Sequence, residues 1–212
     1  QSGERVTDTL QFKQLLYRGT LWQNNYRRYK GDQFFLSNQF LPADVFANGS
    51  KFEKVRVRYD ILNDELLTPL DESEILQLNK EMIDSFTVFT KERTYRFINF
   101  RNDSINGLYG YYNIIFKGKI SLVAKYSKIL FTDISTNSDG EFGQLVKAYA
   151  GTSENFLLIR KKKDLYRLSP AGSSYIRDFI SKNRLKISTR EPISILPAIR
   201  YLDDTDNQVL KK

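Results

Sequence analysis

The sequence predicts a mainly β protein of the α+β class: antiparallel meander sheets forming a sandwich or a partly open barrel, with one or two C-terminal helices packed on it. Three observations lead there. Val55, Val57, Tyr59 and Ile61 alternate with Arg56, Arg58 and Asp60, the two-residue period of a strand with one face buried. Asn48-Gly49 precedes that run and Asn63-Asp64 follows it, so it reads as the middle of a three-stranded meander. Past Ser169-Pro170 the period changes, and Tyr175, Ile176, Phe179 and Ile180 recur at helical spacing.

In chain order, residues 1–9 form a polar arm. Residues 10–22 read as extended structure ending in a turn, and Phe34-Phe35-Leu36 as a short strand. Meander strands lie near 43–48, 51–62 and 65–69. Further strands are expected at 75–78, 85–89 and 94–100, before the turn-rich loop Asn102-Asp103-Ser104-Ile105-Asn106-Gly107. Residues 108–126 form a hairpin about Lys117-Gly118, and segments 129–134, 142–149, 156–160 and 164–168 complete the β part. A second helix is expected over 191–202, with Pro197 kinking it or shifting its start. Residues 203–212 read as a polar tail. One domain covers the chain: β over 10–168, helical over 169–202.

Composition excludes more than it assigns. The 212 residues suffice for a core without staples. Cysteine and histidine are both absent, which removes the usual zinc, copper and haem ligands and the Ser-His-Asp and Cys-His catalytic sets. No cofactor or metal is expected, and no enzyme activity. No apolar run approaches the roughly 18 residues of a membrane-spanning helix. Aromatic residues make up 14% of the chain, a share that favours strands. The net charge of +8 reads as cations dispersed over wetted strand faces. A start at Gln1 fits a chain cut by signal peptidase or a trimmed one.

Four groups of residues are candidates for chemistry. Asp60, Asp64, Asp71, Glu72 and Glu74 are the densest acidic set, of the residue type a glycosidase pairs; Asp60 is expected on the wetted strand face, and Asp64 and Asp71 in turns or loops. The 102–107 loop opens like a calcium-binding loop but lacks its closing glutamate, with Asn113 at that position. Arg160-Lys161-Lys162-Lys163 is the basic run, read as a solvated hairpin turn or as a contact for an anionic surface. Trp22, Tyr26 and Tyr29 with Tyr109 and Tyr111 could build an exposed aromatic platform beside Arg27 and Arg28. The binding candidates are thus Trp22, Tyr26, Arg27, Arg28, Tyr29, Tyr109, Tyr111, Lys161, Lys162 and Lys163.

The order of several phrases resembles a group of secreted, signal-peptide-bearing β-rich proteins of Bacteroidota. The phrases are Leu16-Tyr17-Arg18-Gly19, Gln33-Phe34-Phe35-Leu36-Ser37, Ala47-Asn48-Gly49, Phe52-Glu53-Lys54-Val55, Tyr59-Asp60 and Asp64-Glu65-Leu66. A late Lys-rich stretch, Leu157 to Lys163, precedes a helix ending near Asn183. The likeness runs from about residue 16 to 202 and carries no activity. It implies export to the periplasm or cell surface.

The expectation that follows is a non-catalytic, exported accessory or structural subunit of a cell-envelope assembly, with the outer membrane as one setting. It would act by contact with protein partners. A glycan-binding module or carboxylate-based glycan-directed enzyme is the alternative. An anionic surface is a further candidate partner; nucleic acid is disfavoured, because the aromatics sit at strand-inward spacing.

Overall fold

The computed structural model describes residues 16–103, 107–132, 140–169 and 173–209. Among them are eleven strands: β1 (Gly19–Leu21), β2 (Leu41–Ala47), β3 (Ser50–Asp60), β4 (Glu65–Pro69), β5 (Ile75–Leu78), β6 (Ile83–Phe89), β7 (Thr94–Asp103), β8 (Leu108–Phe116), β9 (Ser121–Phe131), β10 (Glu141–Thr152) and β11 (Asn155–Ile159). They hydrogen-bond in the order β1-β5-β4-β3-β2-β6-β7-β8-β9-β10-β11. β1 and β11 end that order, which therefore does not close into a barrel. The helices are a single turn α1 (Lys162–Leu165), then α2 (Ser173–Lys182) and α3 (Leu196–Val209). The chain divides into two compact units, Gln1–Arg101 with Ser127–Gln144, and Asn102–Tyr126 with Leu145–Lys212.

In the first unit the meander forms where the sequence places it. Asn48 and Gly49 both take positive φ, as a two-residue turn matching strand twist requires. Inside β3, Lys54 also has positive φ, and the register against β2 shifts between Ala43 and Val45. This bulge explains why Phe52 and Val57 are both buried although an odd number of steps separates them. Asp44 accepts the freed Lys54 N–H at 3.3 Å. The core is aromatic: Phe86 stacks on Phe97 with centroids 4.8 Å apart, and Tyr59 and Phe35 meet Phe97 edge-on at 5.1 and 5.2 Å.

The far end of β3 departs from the sequence reading. Asp60 is fully buried, not on a wetted face. Residues 33–35 pair with the end of the strand: Phe35 N–H donates to Tyr59 O at 2.9 Å and Ile61 N–H to Gln33 O at 3.0 Å. Phe34 makes an isolated bridge to Asp60 rather than forming a strand of its own. A neighbouring segment thus covers what alternation alone leaves outside.

In the second unit, β8 pairs with β9 and β10 with β11, and the helices cover this sheet. Ile176 and Ile180 of α2 and Ala198, Ile199 and Leu202 of α3 pack with Leu122, Ala148, Ala150 and Ile159 into one buried cluster. Pro197 falls in the first turn of α3, where a missing N–H costs nothing. Two expectations are corrected here. Residues 164–168 are helical, not a strand: the Asp164 carboxylate accepts the N–H groups of Arg160 and Lys161 at 2.8 and 3.0 Å and turns the chain into α1. The stretch after Leu202 is not a tail throughout, since α3 runs on to Val209. Asp203 accepts the Ile120 N–H at 2.8 Å, tying α3 to the loop between β8 and β9.

Candidate protein-contact site

The outer face of α2 and α3 in the second unit carries two adjoining grooves. On α2 two stripes run side by side at i, i+4 spacing. Ile176 and Ile180 are buried in the core, Phe179 is partly buried and packs against its edge, and Tyr175 is 54% exposed. α2 ends where Arg184 takes a left-handed conformation, which lets Leu185 N–H donate to Ile180 O at 3.0 Å. Leu185 is thereby returned to the core cluster.

On α3, Tyr201 lies one position from buried Leu202 and is half-buried. Its ring stacks on Phe179 with centroids 4.0 Å apart and planes within 8°. The stack is a ridge between two grooves. One, of about 390 Å³, is lined by Ile193, Leu196, Pro197, Arg200 and Asp204 with the two rings. The other, of about 370 Å³, is lined by Tyr175, Asp178, Lys182 and Asn183 with the same rings. Each rim carries an acid and a base four residues apart on one helix. Such a surface offers two apolar seats with polar rims, the anatomy of a protein contact. It holds no nucleophile with a base beside it and has no concentration of one charge.

The sequence-derived candidates fall elsewhere. Trp22 packs on Phe34 at 5.9 Å, and the Arg58 guanidinium lies over the rings of Phe34, Phe40 and Trp22 at 4.1, 4.5 and 5.4 Å. Arg58 also donates to Asn38 O at 2.9 Å, and burial holds its pKa below the usual value. Trp22 is therefore one wall of a cage around an arginine of the same chain. Tyr26 and Tyr29 pack on each other and on Phe142, with centroids 5.9 to 6.0 Å apart, leaving Arg27 and Arg28 exposed between them.

Tyr109 and Tyr111 belong to the second unit and do not share a face. Gly110 has φ 85°, which breaks the alternation of β8, so Tyr111 and Tyr112 are both buried while Tyr109 is 58% exposed. Lys161, Lys162 and Lys163 are exposed, at the start of α1 rather than in a hairpin turn.

Of the acidic set, Asp60, Asp64 and Asp71 are engaged in contacts within the fold, and Glu72 and Glu74 are exposed. Asp60 accepts from the N–H groups of Leu62 and Asn63 and from the Asn63 side chain, at 2.9 to 3.0 Å. Burial pushes its carboxyl above the ordinary range, although these bonds pull the other way. Glu65 is pushed up too, by burial first and by Asp60 next. Asp64 accepts from the Tyr59 hydroxyl and pairs with Lys80, both at 2.5 Å. Asp71 accepts from the N–H groups of Ser73 and Glu74 at 2.7 Å, which holds it below the usual carboxylate range. Asp60, Asp64 and Asp71 thus each have a structural task. The Asn102–Gly107 loop lies largely outside the described residues. Among those that are described, no group of three acidic residues could hold a metal ion, and no helix is long and apolar enough to cross a membrane.

The ridge of Phe179 and Tyr201 was not singled out from the sequence, because each aromatic sits next to a core position and reads as core. The available signal was the second i, i+4 stripe, Tyr175 and Phe179, lying beside the one that the core requires.

No protein-family model matches the chain, and neither a curated protein nor a solved structure matches it.

Proposed function

We propose that this protein is a non-catalytic, exported accessory or structural subunit of a cell-envelope assembly, held there by protein contact through the α2–α3 face. The observation that carries the reading is the Phe179–Tyr201 ridge with an apolar groove on either side. A surface helix of an isolated domain turns its polar residues outward; here Tyr175 and Ile193 are 54% and 48% exposed beside the ridge. Aromatic anchors in such grooves are where contact energy concentrates. The lack of His and Cys supports a binding role over catalysis. The likeness to secreted Bacteroidota proteins supports the envelope address, with the outer membrane as its most specific form.

Native purification from detergent-solubilised envelope is expected to retain stoichiometric partner proteins. Tyr175→Asp and Ile193→Asp, both at exposed positions, are expected to release them without unfolding the chain. Recovery of the wild type as a lone monomer at every salt concentration would overturn the reading.

A further inference from the structure

We propose that the groove beside the bulged half of β3 binds an amphiphilic anion, a carboxylate or phosphate head on an apolar body of acyl-chain size. The groove lies within the first unit and measures about 610 Å³, inside the roughly 300–1,000 Å³ range of small-molecule sites. Tyr17, Phe52, Val55 and Pro69 give it apolar walls, and Lys51, Glu53, Lys54 and Arg56 bring charge to it. Lys51 is already engaged, pairing with Asp44 at 3.1 Å and with Glu53. Lys54 and Arg56 are exposed, and neither is in an ion pair among the described residues. The first unit as a whole is close to neutral; the basic excess of the chain lies in the second unit instead of being dispersed. These two cations are thus local to the groove and not part of a general basic face.

The backbone places Lys54 there under strain. Glu53 and Lys54 of β3 both stand opposite Asp44 of β2 where the register shifts, and Lys54 has φ 57°. At the left-handed position of a bulge, glycine carries no steric penalty. A lysine keeps a long cationic side chain at this point although its backbone is strained. Strained residues of this kind cluster where ligands are held. Regular alternation would turn every second residue away from the groove, whereas Glu53, Lys54, Val55 and Arg56 line it in succession. The hydroxyl of buried Thr68 donates to Arg56 O at 2.9 Å, fixing the strand that carries the guanidinium. An anionic head would make charge-assisted contacts with Lys54 and Arg56, and the apolar walls would take its chain out of water.

This goes beyond contact through the α2–α3 face and does not depend on it. The test titrates decanoate, decyl phosphate and uncharged 1-decanol into the full chain by calorimetry, each below its aggregation limit. At least one of the two anions is expected to bind, and the tighter of them identifies the head. Lys54→Gly removes the cation and suits the left-handed backbone. It is expected to weaken binding by at least roughly tenfold, while its urea unfolding midpoint stays in place or rises. Arg56→Gln, at an exposed position, is expected to weaken binding in the same way. Binding of neither anion, equally tight binding of 1-decanol, or undiminished binding by Lys54→Gly would each overturn the proposal. Loss of binding in Lys54→Gly only together with loss of stability would assign Lys54 a structural role and overturn it as well.

Discussion

Asp60→Ala is expected to destabilise the first unit by about 1–3 kcal/mol. The substitution removes the buried acceptor of the Leu62 and Asn63 N–H groups and the Asn63 amide; Asn63 is exposed and its donors can turn to water, while the half-buried Leu62 N–H loses its partner. Asp60→Asn keeps an oxygen for the two backbone donors and should cost much less. The same site fixes a pH dependence. Burial raises the folded pKa of Asp60 above its unfolded value, so the native state binds the proton more tightly. The stability contribution is therefore fully present below the unfolded pKa, near 3.9, and is lost as pH rises through the folded one. In urea unfolding at a series of pH values, wild type minus Asp60→Asn should decline over that window. A difference that grows with pH there would contradict the assignment. Trp22, the one tryptophan of the chain, packs on Phe34 and reports on this unit by fluorescence.

Phe97→Ala is the second large effect, about 3–5 kcal/mol. Phe97 is completely buried, stacked on Phe86 and met edge-on by Phe35 and Tyr59. Truncation removes three ring contacts and opens a cavity whose walls come from three separate segments. Phe97→Leu, which fills part of that volume, should lose distinctly less. A cost below about 1 kcal/mol for the alanine variant, measured by the same fluorescence, would mean that this cluster is not the core of the first unit.

How much of this was legible depends on what decides each residue. The meander was readable because Asn48-Gly49 and the alternation of β3 act locally, within the reach of one turn and one strand. The bulge at Lys54 was not, because it depends on an acceptor from the neighbouring strand, Asp44. The burial of Asp60 depends on residues 33–35 lying over the strand end, a contact between segments far apart in sequence. Tyr109 and Tyr111 look alike by alternation, and the positive φ of Gly110 separates them. Residues 164–168 were expected as a strand, yet Asp164 finds two backbone donors just upstream and the chain turns. Phe179 was visible as an apolar position at helical spacing, and Tyr201 was not singled out. That they stack on one another, and leave a groove on each side, follows from how α2 and α3 pack in the second unit.

The contact claim is tested most directly by a photo-crosslinking residue in place of Tyr175, expressed in the source cells and activated before lysis. A discrete adduct of defined mass is expected from position 175, and none from an exposed position in the first unit such as Lys91. No adduct at position 175, or the same adducts from both positions, would contradict the assignment of the α2–α3 face as the site of contact.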